Sequence, residues 1–119
     1  MSDLSRKEVI QILAISENAR LAGVNLSGLD LEGLNFAGAD LTRANLAGTN
    51  FKNAYLRNAR MEEANLEGAV LINANLKSAN LKGANLRNAD LTGTFLTDTN
   101  LFNADLQGAL LAQTKGHAR

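Results

Sequence analysis

The sequence has no cysteine, no proline and no tryptophan, and only one of its 119 residues is histidine. Without cysteine there is no disulfide, thiol nucleophile or cysteine-ligated metal, so nothing indicates an oxidising compartment. No apolar run approaches the roughly 18 residues of a membrane span, and acids and bases mix at the N-terminus. We therefore expect no secretory signal and no membrane helix, and a cytoplasmic location.

The sequence also has no excess of positive or negative charge, because 12 basic side chains balance 12 acidic ones. A neutral chain has no bulk attraction to nucleic acid or to an anionic membrane, so we expect it to bind neither directly. The hydrophobic fraction of 45% is typical of a folded domain, and the length allows one.

What is present is a period of five residues. From Leu21 to Leu111, every fifth residue is Leu, Phe or Met, which defines 19 units, and we call this residue the centre of its unit. Ala lies two residues before the centre in 13 units, and Asn or Asp lies one residue before it in 13. Gly or Asn lies two residues after the centre in 14 units.

This period is incompatible with a straight helix or a straight strand. A helix would rotate successive centres by about 140°, and a strand would send the Ala of the next unit to the opposite face. The chain must therefore turn a corner in every unit. Gly or Asn tolerates a positive φ at such a corner, and Asn or Asp can bond its own backbone. Corners of about 90° predict a coil of four units with Ala and the centres inside.

Charged residues support a coil of 20 residues, in which residues 20 apart would stack about 4.8 Å apart. At that separation the sequence has one pair of like charge, Arg57/Lys77. The pairs of opposite charge are Arg20/Asp40, Asp40/Arg60, Glu32/Lys52, Arg43/Glu63, Glu62/Lys82 and Glu67/Arg87.

The two ends differ from the repeat. Ser5 and Glu8 fit a capping box, with Leu4 and Val9 as a hydrophobic staple, and predict a helix from about Ser5 to Ser16. We interpret this helix as a lid on the first coil; the alternative is an amphipathic helix that binds a partner. The predicted organisation is a capping segment (1–18), an all-β solenoid of 4.75 coils (19–113) and a polar tail (114–119).

Four apolar side chains interrupt positions that otherwise face water: Tyr55, Phe95, Phe102 and Leu110. They are either scattered surface residues, which are common, or a patch that pairs with a partner or with a second copy of the chain. The residues alone leave both interpretations open.

Few residues suggest catalysis. His117 is isolated in the tail, and the adjacent Glu62 and Glu63 each have a cation one coil away, which favours a solvated ladder over a catalytic pair. The repeated Asn could form a flat face for ice or sugar, but turn stabilisation explains its presence on all four faces. We predict no enzymatic activity, no cofactor and no metal.

The repeated unit Ala-(Asp/Asn)-Leu-x-x, clear in the segment Asn75–Leu86, resembles the pentapeptide-repeat proteins over about four-fifths of the chain. The resemblance implies a right-handed quadrilateral β-helix. The preceding helix resembles that of small bacterial members, which are numerous in cyanobacteria. The resemblance also brings in a known activity of the family, the inhibition or protection of DNA gyrase by rods that imitate duplex DNA.

Two hypotheses of function follow. The first is a non-enzymatic scaffold or protein-interaction module, with homodimerisation through the C-terminal end as one form of partner binding. The alternative is a DNA-mimicking regulator or protector of gyrase. The second is disfavoured because residues 19–113 contain eight basic and nine acidic side chains, whereas a DNA surrogate needs a strongly negative surface. The gyrase-directed members of the family also tend to carry a loop that breaks the repeat, and no loop interrupts residues 19–113.

Overall fold

The protein is a short helix followed by a solenoid. The computed structural model describes residues 2–119, so Met1 of the predicted capping segment lies outside the described residues. Helix α1 (Arg6–Ile15) precedes a chain whose coils are joined by 16 isolated parallel β-bridges, every one between residues 20 apart. The predicted coil of four units is therefore confirmed. Within residues 2–119 no β-strand extends beyond a single bridge residue, because every unit turns a corner.

We number the coils 1 to 4 (residues 19–38, 39–58, 59–78 and 79–98) and call the incomplete last one coil 5 (99–113). Each coil has four faces, and each face is identified by its column of bridge residues. Face 1 carries Arg20, Asp40, Arg60, Asn80 and Asn100; face 2 carries Asn25, Asn45, Asn65, Asn85 and Asp105; face 3 carries Asp30, Asn50, Val70, Asp90 and Leu110; face 4 carries Asn35, Tyr55, Asn75, Phe95 and Lys115.

Each corner is a tight turn of the same kind. In all 19 units the backbone N–H three residues after the centre donates to the carbonyl of the centre. In all 19 units the residue two positions after the centre has a positive φ, between 57° and 76°. This is the pattern of a type II turn, in which Gly or Asn is favoured at that position. The remaining five positions are occupied by Arg43, Glu63, Ser78, Asp98 and Gln113.

The Asn and Asp side chains before the centres stabilise the same corners. All 13 of them accept a hydrogen bond from the backbone N–H two residues later, at 3.0–3.1 Å. Such Asx turns explain why Asn recurs in the sequence without requiring a ligand.

The interior is filled by the centres and by the small residues two positions before them. Every centre from Leu21 to Leu91 is at most 2% exposed. The two centres that are Phe, Phe36 and Phe51, pack edge to face with ring centroids 5.5 Å apart. The three Thr residues that replace an inward Ala each donate to the backbone carbonyl of the centre 23 residues earlier, at 2.7–2.9 Å. The residues are Thr49, Thr94 and Thr99.

The N-terminal segment covers coil 1, as predicted. The capping box of Ser5 and Glu8 is present, and Val9 of α1 is fully buried. The segment also satisfies backbone groups of coil 1. Asp3 exchanges two hydrogen bonds with the backbone of Asn25, and the Arg6 guanidinium donates to the carbonyl of Asp30 at 2.6 Å. The lid thus protects the ladder edge of the first coil as well as its apolar interior.

The opposite charges that lie 20 residues apart form ion pairs only in part. Of the six opposite pairs, the structure brings Asp40/Arg60 (3.5 Å) and Arg43/Glu63 (3.1 Å) within contact distance. Arg87 pairs with Asp105 at 3.1 Å and not with Glu67. Exposed ion pairs contribute little energy, so these side chains follow local geometry and do not determine the register.

Candidate functional site

The four candidate side chains lie on three different faces. Tyr55 and Phe95 share face 4, two coils apart, whereas Phe102 follows the last centre of face 1 and Leu110 belongs to face 3. All four are exposed, by 41% to 61%. The structure therefore brings together Tyr55 and Phe95 along one face, while Phe95, Phe102 and Leu110 surround the C-terminal end of the solenoid.

A lysine side chain lies over two of these aromatic rings. Lys115 Nζ lies 4.7 Å from the ring centroid of Phe95, and Lys82 Nζ lies 5.9 Å from that of Phe102. These cation–π contacts cover part of each ring and place positive charge at the same surfaces as the exposed aromatics.

The C-terminal end of the solenoid exposes backbone donors and core residues. The centres Leu101 and Leu106 are half-buried, and Leu111 is 44% exposed, although the equivalent centres of the inner coils are closed. Six backbone N–H groups of coil 5 stand at positions that donate to the next coil elsewhere in the solenoid and have no acceptor within residues 2–119: those of Leu101, Asn103, Leu106, Gly108, Leu111 and Gln113. Each would donate to a further coil in the pattern of the ladder. The repeat pattern indicated the exposed apolar residues Phe95, Phe102 and Leu110 near this end. It did not indicate Leu111, because Leu111 occupies the position of a buried centre.

A groove of about 610 Å³ lies between α1 and the first coil. It is lined by Ile10, Leu13 and Ile15 from the helix and by Leu34 and Ala37 from the top of face 4. The helix is therefore a lid with spare apolar surface, because Ile10 remains 42% and Ile15 86% exposed.

The carboxylates are arranged as structural groups. A hydrogen bond from the Thr42 hydroxyl, with a smaller contribution from Arg60, lowers the pKa of Asp40. The backbone N–H of Gln107 and then the Arg87 guanidinium lower the pKa of Asp105. A lowered pKa keeps both carboxylates charged at neutral pH, which is the opposite of what a general acid requires.

Residues 2–119 contain no group of three or more His, Cys, Asp or Glu side chains that could hold a metal ion. In this part of the chain, no helix is both long and apolar enough to span a bilayer.

The fold and its surface define a class: a quadrilateral solenoid with a filled interior, whose functional groups all lie on outer faces or at an end. The pentapeptide-repeat family model matches residues 19–58, 49–88 and 79–115, with eight copies, so the chain belongs to this family. The resemblance expected from the sequence is confirmed.

The solved structure of a plant protein agrees with this assignment. A pentapeptide repeat protein from the Arabidopsis thaliana thylakoid lumen is 31% identical, with a TM-score of 0.74, over 76% of this chain and 63% of that protein. HetL, a pentapeptide repeat protein involved in heterocyst differentiation regulation in the cyanobacterium Nostoc sp. strain PCC 7120, is 31% identical over 81% of this chain and 54% of its own, with a TM-score of 0.44.

Trypsin-treated QnrB1, a plasmid-mediated fluoroquinolone resistance protein, is 23% identical over 82% of this chain and 57% of its own, with a TM-score of 0.54, which is a likeness of fold alone. This chain thus spans between 54% and 63% of the length of these three proteins. Among proteins of curated function, no sequence match was found.

Proposed function

We propose that this chain is a non-enzymatic protein-interaction module that acts in the cytoplasm and pairs through its C-terminal end with a second copy of itself. The observation that carries the proposal is the edge of coil 5, where six ladder N–H groups lack acceptors within the described chain and Leu111 is 44% exposed.

Pairing at this end would add backbone hydrogen bonds and bury apolar side chains. An open ladder edge is a template for pairing with another backbone, and the carbonyls of Ala104 and Ala109 offer acceptors beside the free donors. In a two-fold pair, the donors of one copy face the acceptors of the other and the pair closes on itself. The half-buried centres of coil 5 would complete their packing, and Phe102 and Leu110 would lie at the rim.

The test is the mass in solution, measured by light scattering over a range of protein concentrations. We expect a dimer for the wild type and a monomer for Phe102→Asp, because the new carboxylate would be desolvated at the rim of the pair. Tyr55→Asp is the matched control, since it makes the same kind of change in coil 2, three coils away from coil 5. Tyr55→Asp should remain a dimer.

A wild type that stays monomeric at every concentration would overturn the pairing. Equal loss of the dimer in Phe102→Asp and Tyr55→Asp would show that the C-terminal end is not the interface.

The alternative, a DNA-mimicking regulator of gyrase, gains no support from the distribution of charge. Carboxylates alternate with cations along the rod, and face 4 has three cations, Arg57, Lys77 and Lys115, against one carboxylate, Asp98. A gyrase supercoiling assay with and without a quinolone separates the two functions: inhibition or protection at micromolar protein would favour the mimic. We also infer that the coil is right-handed, which is the preferred hand for crossovers between parallel strands.

A further inference from the structure

We propose that face 4, together with the groove beside α1, binds a segment of another protein in which carboxylates alternate with apolar side chains. We call this surface the face-4 strip and define it by Ile15, Leu34, Tyr55, Arg57, Lys77 and Phe95. The proposal rests on the proposed function only in taking the chain to be an interaction module, and it does not require pairing at the C-terminal end.

The upper part of the face-4 strip is apolar and concave. Leu34 and Ala37, which lie in coil 1 on face 4, form its floor, and Ile10 and Ile15 of α1 form its wall. Ile15 is 86% exposed, so the wall is open to a ligand. An open apolar wall of this kind gains free energy when another apolar side chain covers it.

The groove continues into the aromatic part of the strip. Asn35, at the edge of the groove, is bridged to Tyr55, which is bridged through Asn75 to Phe95. Two ladder spacings separate the two rings, a distance of about 10 Å. Of the three exposed aromatic side chains, two therefore lie on this face, in line with the groove.

Unpaired positive charge runs alongside these aromatic rings. Arg57 and Lys77 follow each other in neighbouring coils, and neither side chain has an ion-pair partner among residues 2–119. Two carboxylates lie near the strip: Glu17 lines the groove beside α1, and Asp98 of face 4 lies at the far corner, 3.9 Å from Arg119. Stacking two like charges is unfavourable within the fold, and a ligand that carries carboxylates would relieve this repulsion.

An apolar groove beside two aromatic rings and two cations favours a protein segment over a nucleic acid as the ligand. Single-stranded nucleic acid would stack its bases on Tyr55 and Phe95 and place phosphates at Arg57 and Lys77. It has no aliphatic group for the groove of Ile10, Leu13 and Ile15, whereas a peptide supplies both apolar and acidic side chains. The strip from Asn35 to Phe95 covers three ladder spacings, about 14 Å, which an extended segment crosses with about four or five residues.

The binding test uses a labelled probe and two comparison peptides. The probe is a fluorescein-labelled 12-residue peptide in which Glu alternates with Leu, and its binding is followed by fluorescence anisotropy at low salt. In one comparison peptide Ser replaces Leu, and in the other Lys replaces Glu. We expect the Glu/Leu probe to bind at micromolar concentrations and to weaken as salt rises. Both comparison peptides should bind at least tenfold more weakly.

A double charge reversal locates the site. Arg57→Glu with Lys77→Glu should weaken probe binding at least tenfold. The matched control is Arg20→Glu with Lys82→Glu, which changes the net charge equally on face 1 and should stay within twofold of the wild type. Amide chemical shifts of the wild type should move along Tyr55, Asn75 and Phe95 when the probe is added. All of these side chains are on the outer surface, and circular dichroism checks that each variant is folded.

The outcomes separate the two proposals. Equal weakening in both double variants, shifts confined to coil 5, or no binding of the probe would overturn the face-4 strip. Tighter binding of a twelve-nucleotide oligothymidine that is also lost in Arg57→Glu/Lys77→Glu would assign the strip to nucleic acid instead. None of these results bears on pairing at the C-terminal end, which light scattering tests separately. A wild type that is monomeric and binds the probe would support peptide binding by the face-4 strip and overturn the pairing.

Discussion

At the scale of the single residue, the fold depends on one backbone position per unit. The residue two positions after each centre has a positive φ in all 19 units. A left-handed conformation costs an L-residue other than Gly roughly 1–2 kcal/mol, and Asn tolerates it best. Fourteen of the positions are Gly or Asn, so the sequence largely avoids this cost. Ser78 does not, because its φ is 59° and its exposed side chain has no hydrogen bond that would compensate.

We therefore expect Ser78→Gly to stabilise the protein by about 0.5–1 kcal/mol. Gly removes the backbone strain of the folded state, and its larger loss of conformational entropy on folding cancels only part of this gain. Gly68→Ala is the converse control: φ is 68° and there is open space around the added methyl group, so the strain alone should cost about 1 kcal/mol. Urea denaturation measures both changes. Opposite signs are expected, and a loss of stability in Ser78→Gly would mean that backbone strain does not dominate at this corner.

At the scale of the element, the coil is held by columns of centres and not by strands. One coil buries four large side chains, and their burial alone does not offset the conformational entropy lost when 20 residues are ordered. Stacking supplies the remainder through ladder hydrogen bonds and continuous packing between neighbouring coils. A defect in one column therefore affects the coils on both sides of it.

Leu66 and Glu67 are adjacent in sequence but have opposite roles in the column. Leu66 is fully buried, whereas Glu67 is exposed and forms no ion pair in the structure. We expect Leu66→Asp to cost at least about 3 kcal/mol, since a carboxylate would be buried without a partner, and Glu67→Ala to change stability by less than about 0.5 kcal/mol.

Thermal unfolding compares the two variants. If Leu66→Asp does not fold, Leu66→Ala is the substitute and should cost about 2–5 kcal/mol. Equal melting temperatures for the Leu66 variant and Glu67→Ala would contradict the register.

At the scale of the whole molecule, a linear stack need not be equally stable along its length. The lid of α1 protects coil 1, whereas coil 5 ends in unpaired ladder donors within the described chain. The centres change accordingly from fully buried in coil 3 to half-buried or exposed in coil 5. Local opening should therefore begin at the C-terminal end.

Amide hydrogen exchange gives the test. The N–H groups of Met61 and Leu66 donate to coil 4 and should exchange slowly, whereas those of Leu101 and Leu106 should exchange fast in dilute protein. If the ends pair, the protection of coil 5 should rise with protein concentration while that of coil 3 stays constant. Protection that is uniform along the chain at low concentration would contradict the gradient.

The sequence predicted some features of the candidate site and missed others for identifiable reasons. Periodicity placed Tyr55 and Phe95 in one column because a fixed coil length converts sequence separation directly into spatial stacking. The exposure of Leu111 was missed because its motif is that of a buried centre, and only the position of the last coil opens it. The sequence left open whether α1 keeps apolar surface for a partner, because the exposure of Ile10 and Ile15 depends on how α1 packs on coil 1. Residues 20 apart lie in neighbouring coils as predicted, but most of the opposite charges at that separation form no ion pair within residues 2–119, since exposed side chains choose among several partners of similar energy.

The unit, the corners, the coil of 20 residues, the inward and outward positions and the capping helix can all be read from the amino-acid sequence. The repeated features are predictable because they follow from local backbone preferences that recur in 19 units, and the helix is predictable from its own capping box. Three features required the folded structure: the side chains that meet at the groove beside α1, the cations of face 4 that have no ion-pair partner among residues 2–119, and the backbone donors of coil 5 that have no acceptor there. These features depend on contacts between distant segments and on the ends of the stack, where the repeat no longer supplies a neighbour.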